Sequence, residues 1–112
     1  KMSLNYSASV GNDENVSNSN SYTMPPNIVG GEGTYTLDGG GQNSTASIDK
    51  NGSQIDRVDD QDDDATKTGT VSLSPGDSIS LYAYGDYAPS SASLDIEVYK
   101  DTSVAVNGVS QL

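Results

Sequence analysis

The chain has 112 residues, 16 of them acidic and 5 basic, and its net charge of −11 excludes a nucleic-acid-binding surface because it repels phosphate. The same charge disfavours anionic membranes, and no apolar run approaches the roughly 20 residues that span a bilayer, so no membrane insertion is expected. The absence of Cys and His excludes disulfides, thiol nucleophiles and the usual catalytic triads, so we expect no enzymatic activity.

Apolar and polar residues alternate without interruption over the first ten positions. The apolar residues are Met2, Leu4, Tyr6, Ala8 and Val10. Successive side chains of a strand point to opposite faces, so this pattern predicts a β-strand at the N-terminus.

The segment that follows is small and polar, and Val16 is the only apolar residue between Gly11 and Ser21. Such a composition is typical of a flexible or disordered tether, and Pro25-Pro26 extends it. We therefore expect an arm of residues 1–10, a tether of residues 11–27 and a β-sandwich domain of residues 28–112.

An arm on a tether suggests assembly. Eleven extended residues reach roughly 35 Å, far enough for the arm to pair with the exposed sheet edge of another subunit. The predicted partners are therefore further copies of this chain or other structural subunits. The assembly residues are Met2, Leu4, Tyr6, Ala8 and Val10. The alternative is that this strand folds back on its own sheet.

Glycines divide the next part of the chain. A short strand is predicted over residues 34–38, with Tyr35 and Leu37 on one face, between flexible breaks at residues 30–33 and 39–41. Two β-prone runs, residues 45–49 and 54–58, then flank Asn51-Gly52, which predicts a hairpin. The mismatched parity of Ile55 and Val58 predicts either a bulge in the return strand or an early end of that strand.

The most regular alternation lies in the C-terminal third, from Thr70 to Val106. Ser74-Pro75-Gly76-Asp77 has the chemistry of a tight turn. One side of the pattern is aliphatic and the other hydroxylic or acidic, as in antiparallel sheets that cover a core. The aliphatic residues are Val71, Leu73, Ile79, Leu81, Ala83, Ala92, Leu94, Ile96, Val98, Val104 and Val106. No segment has a helical period, so the prediction is an all-β, antiparallel β-sandwich or jelly-roll-like single domain.

An acidic run is the candidate metal site, with calcium as the only cofactor considered. Its residues are Asp59, Asp60, Asp62, Asp63 and Asp64. Calcium takes several oxygen ligands in flexible geometry; the alternative is a solvated acidic loop without fixed structure. The low hydrophobicity and high charge of residues 59–67 also predict disorder there. Four oxygen-bearing residues of the hairpin have odd spacing but do not match an EF-hand: Asp49, Asn51, Ser53 and Asp56.

Three asparagines, Asn5, Asn15 and Asn43, fit the N-glycosylation acceptor pattern and favour an extracellular setting. A fourth match, Asn51, is less favoured because a tight hairpin constrains it.

Tyrosines provide a candidate ligand site. Tyr82 and Tyr84 are predicted on the face opposite Ile79 and Leu81, with Tyr87 in the loop that follows. Exposed aromatic rings stack against sugars or partner proteins. The alternative is that a second sheet covers these rings, or that they pack across strands.

These patterns favour a non-enzymatic structural subunit of an extracellular assembly, such as a filament, a surface layer, or a virion shell or decoration. Its acidity is also that of a salt-adapted protein. The alternative is a cell-surface β-sandwich module that binds glycan or calcium. The expected location is extracellular, on a cell surface or in a virion.

Overall fold

The computed structural model describes residues 2–60 and 65–100, without the side chains of Asp60 and Lys100. Eight strands occupy most of this part of the chain. They are β1 (Met2–Val10), β2 (Val16–Thr23), β3 (Ile28–Gly39), β4 (Ser44–Lys50), β5 (Ser53–Asp60), β6 (Ala65–Leu73), β7 (Ser78–Gly85) and β8 (Ser90–Lys100).

The strands form two four-stranded antiparallel sheets, which confirms the predicted all-β sandwich. Sheet A has the order β1-β8-β3-β6 and sheet B the order β2-β7-β4-β5. Only β4 and β5 are both consecutive in the chain and hydrogen-bonded to each other. Nowhere in the described ranges is there a helix long and apolar enough to cross a membrane.

The core lies between the two sheets and is built from aliphatic side chains, because the chain has no Phe or Trp. Its largest fully buried apolar residues are Met24, Leu37, Ile48, Ile79, Leu81, Leu94, Ile96 and Val98. The inward positions of β7 and β8 match the predicted aliphatic face.

The N-terminal strand exists as predicted and pairs within its own chain. β1 runs antiparallel to β8 in continuous register, from Met2 opposite Val98 to Val10 opposite Ser90. Ala8 is its only fully buried side chain, and Met2 is exposed. The arm therefore lies on its own sheet in this structure.

The expectation of a tether after β1 was wrong, because residues 16–23 form β2 and pair with β7 along their whole length. The alternation in β2 is Ser outward and Asn inward. The side-chain amides of Asn18 and Asn20 donate to the main-chain carbonyls of Ser9 and Ser7, both at 3.2 Å. These bonds replace hydrophobic burial, which is why a hydrophobicity pattern does not detect this strand.

The predicted flexible break at residues 30–33 was also wrong, because β3 passes through it and pairs with both β6 and β8. Two glycines of β3 lie where neighbouring core atoms leave no room for a side chain. A Cβ at Gly33 would lie 2.8 Å from Leu94 Cδ1, and one at Gly31 would lie 3.1 Å from Met24 Cε. The predicted disorder at residues 59–67 is also corrected at residues 59–60 and 65–67, which belong to β5 and β6.

The hairpin prediction is confirmed. Asn51 and Gly52 have φ of 52° and 82°, as a two-residue type I′ turn requires. Ile48 pairs with Asp56 and Asp49 with Gln54, so Ile55 is the extra residue of a bulge. The predicted strand containing Val104 and Val106 lies outside the described residues.

Candidate functional site

The candidate site is the outer face of sheet B around β7. Ile79, Leu81 and Ala83 point into the core, so Tyr82 and Tyr84 point outward. Tyr82 is 37% exposed and Tyr84 half-buried. Sheet A therefore does not cover these rings. We call this surface the tyrosine face.

Short hydroxyl side chains flank both rings. Ser19 of β2 and Ser47 of β4 lie directly opposite Tyr82, on its two sides. Ser17 and Thr45 stand in the same relation to Tyr84. Because serine is much shorter than tyrosine, the ring of Tyr82 projects above its neighbours while hydroxyl groups surround its base.

An ion pair borders the tyrosine face on β5. Arg57 donates from Nε to Asp59 Oδ2 at 2.6 Å and from Nη2 to Asp59 Oδ1 at 3.1 Å. Thr45 donates to the same Oδ1 at 2.6 Å. The bonds from Arg57 and then Thr45 lower the pKa of Asp59, and the bond to Asp59 raises the pKa of Arg57. The Arg57 guanidinium and the Asp59 carboxylate thus form a bidentate ion pair.

The two outer faces differ in charge. Outward residues of sheet B include one cation, Arg57, and the carboxylates Asp49 and Asp59. The uncharged outward residues include Ser17, Ser19, Ser21, Thr23, Thr45, Ser47, Gln54, Ser78, Ser80, Tyr82 and Tyr84. The described outer face of sheet A carries no cation and four carboxylates, those of Glu32, Asp38, Asp95 and Glu97. The tyrosine face is therefore nearly neutral in a chain of net charge −11.

Tyr87 lies at one end of the sandwich, in the loop after β7. It is 65% exposed and has φ of 57°, and its N–H donates to the carbonyl of Asp13 at 2.8 Å. The loop that contains Asp13 is also held by Tyr84, whose hydroxyl donates to Asn15 Oδ1 at 3.1 Å. The main-chain N–H of Asn15 in turn donates to Asp86 Oδ1 at 3.1 Å. Tyr84 is thus partly a structural residue.

Of the predicted calcium ligands, the structure describes the side chain of Asp59 alone. Asp59 is bonded to Arg57 and Thr45, and Asp60 is the last residue of β5. Residues 62–64 lie outside the described chain. Within residues 2–60 and 65–100, no group of three or more acidic residues is arranged to hold a metal ion.

The oxygens of the hairpin do not converge either. The side-chain amide of Asn51 donates to Asp77 at 2.9 Å and accepts from the Ser78 amide at 2.9 Å. Asp56 instead points to the other sheet, where it accepts a hydrogen bond from Tyr35.

The three predicted acceptor asparagines are exposed. Asn5 lies on the outer face of sheet A, where its amide nitrogen is within hydrogen-bonding distance of Asp95 Oδ1. Asn15 accepts the bond from Tyr84, and Asn43 has φ of 67° in the loop before β4. Ser44 and Thr45, which complete the Asn43 acceptor pattern, are buried.

The residues around the tyrosines were not predicted. Ser19, Ser47, Thr45 and Arg57 are distant in sequence, and only the strand order of sheet B brings them to β7. A usable signal existed in the alternation of Ser17, Ser19 and Ser21, which marks an outward-facing hydroxyl row.

No protein-family model matches the sequence, and no curated protein matches it. Among solved structures, similar folds include PliG, a periplasmic lysozyme inhibitor of g-type lysozyme from Aeromonas hydrophila (14% identity, 86% of this chain and 85% of that chain, TM-score 0.44). Another is the C-terminal CBM6 of LamC from Zobellia galactanivorans (14%, 85% and 98%, 0.46). A third is a carbohydrate-binding module, CBM36, in complex with calcium and xylotriose (9%, 88% and 99%, 0.42). Identities and TM-scores this low assign neither a family nor a ligand to this chain.

Proposed function

We propose that this chain is a non-enzymatic, extracellular glycan-binding β-sandwich that receives uncharged sugars on its tyrosine face. The observation that carries this proposal is the exposed ring of Tyr82 at the centre of a sheet, between Ser19 and Ser47.

The chemistry of the face suits a sugar. A pyranose ring has C–H groups that pack on an aromatic ring and hydroxyls at its rim that need hydrogen-bond partners. Tyrosine supplies an apolar body with a polar tip, and the exposed hydroxyl of Ser19 beside Tyr82 both donates and accepts, whereas Ser47 on the other side is buried. Tyr84 and Tyr87 extend the aromatic surface toward one end of the sandwich.

The charge of the face favours an uncharged ligand. Arg57 is the only cation among its described outward residues, and Asp59 occupies two of its nitrogens. An anionic sugar would meet no unpaired cation here and would be repelled by the net charge of −11. Neutral glycans pay no such electrostatic penalty.

Isothermal titration calorimetry with neutral and uronate oligosaccharides tests the proposal. We expect binding of a neutral oligosaccharide and a loss of about fivefold or more in affinity for Tyr82→Ala, because stacking contributes about 1 kcal/mol beyond area burial. Tyr99→Ala is the matched control, since Tyr99 is 43% exposed on β8 of the other sheet. The proposal is contradicted if no neutral oligosaccharide binds, or if Tyr82→Ala and Tyr99→Ala lose affinity equally.

The second candidate is a structural subunit of an extracellular assembly that forms by exchange of β1. It is favoured by one observation: β1 has hydrogen-bonded strand pairing only with β8 and buries only Ala8 fully, so a second copy can supply the same contacts. Light scattering on the full chain and on a chain lacking residues 1–10 tests it. Two monomers of equal stability rule out exchange.

A further inference from the structure

Tyr6 and Tyr22 form the one stacked aromatic pair of the described residues. Their ring centroids are 4.4 Å apart and their planes are inclined by 25°. Tyr6 lies on β1 opposite Leu94, and Tyr22 lies on β2 opposite Ile79. Both side chains therefore face inward, from edge strands of different sheets.

Neighbouring contacts hold this pair in place. The bond from Asn20 Nδ2 to the carbonyl of Ser7 fixes β2 against β1 next to the rings. Partial burial, with a contribution from the adjacent Tyr22 phenol, raises the pKa of Tyr6 to about 12. Both rings are only half-buried, so a small oxidant reaches them from the solvent side.

We propose that Tyr6 and Tyr22 are an oxidative cross-linking site, at which a peroxide-class oxidant joins the two rings as dityrosine within one chain. The inference is independent of glycan binding. It gives a chain without cysteine a covalent staple between its two sheets.

The reaction balances with hydrogen peroxide as the oxidant and a haem peroxidase as the electron carrier. Each phenol loses one electron and its O–H proton, which leaves two tyrosyl radicals. The radicals combine at one Cε of each ring, and each of these carbons passes its hydrogen to its own oxygen, which restores both aromatic rings. The two hydrogens lost overall convert one peroxide into two waters.

Two physical effects direct the coupling to this pair. The stacked rings react within one molecule, and prior positioning removes the entropic cost of an encounter. Among the described residues, no ring is stacked on the exposed Tyr82 or Tyr87. Coupling between two copies is opposed at low salt, because two chains of net charge −11 repel each other.

Peptide mapping tests the site. The full chain is treated with hydrogen peroxide and a haem peroxidase in dilute, low-salt solution. Cleavage after Glu14 and Glu32 separates Tyr6, in residues 1–14, from Tyr22, in residues 15–32. We expect these two fragments to stay joined after treatment, with a combined mass lower by two hydrogen atoms and with dityrosine fluorescence. The product is expected to migrate as a monomer and to unfold at higher urea concentration than the untreated chain.

Tyr22→Phe keeps a stacked ring but removes the phenol, so we expect it to lose the linkage and most of the fluorescence. Tyr82→Phe is the matched control and is expected to retain both. Free fragments 1–14 and 15–32 from the treated wild type, or undiminished fluorescence in Tyr22→Phe, overturn the proposal. A covalent dimer joined through the same two residues contradicts coupling within one chain.

Discussion

Tyr35 of β3 donates a hydrogen bond of 2.7 Å from its phenol to Asp56 Oδ2 of β5. Lys67 Nζ of β6 lies 3.5 Å from the other oxygen of Asp56. This cluster joins the two sheets at the β5–β6 edge, as Asn18 and Asn20 join them at the β1–β2 edge. Polar side chains therefore close both sides of a sandwich whose aliphatic core is small.

The Tyr35–Asp56 bond predicts a stability that depends on pH. It lowers the pKa of Asp56 and raises the pKa of Tyr35. The Asp56 contribution is present above its unfolded pKa of about 4 and is lost as pH falls through the lower folded value. The Tyr35 contribution is present below its unfolded pKa of about 10 and is lost as pH rises through the higher folded value.

We expect Tyr35→Phe to lower the free energy of unfolding at neutral pH by about 1–2 kcal/mol, because it leaves Asp56 short of a partner. The difference from wild type should shrink in acid, as pH falls through the lowered pKa of Asp56 and its carboxylate takes up a proton. Urea unfolding at both pH values measures this. Tyr99→Phe is the control, since Tyr99 bonds to Glu97 at 3.4 Å on an exposed surface. An equal loss at both pH values contradicts the assignment.

Gly69 lies opposite Tyr35 on β6, and a Cβ there would overlap the Tyr35 ring. We expect Gly69→Ala to destabilise the fold by about 1–3 kcal/mol, because Tyr35 must move away from Asp56. Gly11→Ala is the matched control, since a Cβ at Gly11 meets nothing within 4 Å. Thermal unfolding of the two variants measures the effect; equal melting temperatures disprove the predicted overlap.

Asn20 stabilises an edge strand that has no apolar alternation of its own. We expect Asn20→Ala to lower the free energy of unfolding by about 1 kcal/mol, since the Ser7 carbonyl loses its partner. The variant should show a larger increase in the rate of amide hydrogen exchange in β1 and β2 than in β7. Ser19→Ala, which alters the neighbouring outward position, should leave the exchange of β1 unchanged; the prediction fails where both variants behave alike.

The net charge of −11 predicts that salt stabilises the fold. Raising the salt concentration from about 0.1 M to about 1 M shortens the Debye length from about 10 Å to about 3 Å and screens the repulsion between carboxylates. We therefore expect a higher urea midpoint in 1 M sodium chloride; a lower midpoint contradicts this. Calcium chloride at matched ionic strength tests the acidic segment at residues 59–64: a further increase supports a site there, and identical midpoints exclude one.

Much of the fold is readable from the sequence where strands bury aliphatic residues. The alternation around Leu81 and Ile96 predicted β7 and β8, and Asn51-Gly52 predicted the hairpin between β4 and β5. β2 was missed because Asn18 and Asn20 occupy its inward positions and are satisfied by hydrogen bonds. Their partners lie on another strand, which a local hydrophobicity pattern does not contain.

The sequence by itself determined that the chain is all-β and acidic, and that Tyr82 and Tyr84 face away from Ile79 and Leu81. These are properties of local alternation and composition. Only the tertiary structure decided that Ser47 flanks Tyr82, that Tyr6 stacks on Tyr22 and that β1 lies on its own sheet. Such contacts join residues on different strands, and their pairing depends on the packing of the whole sandwich, which no local segment encodes.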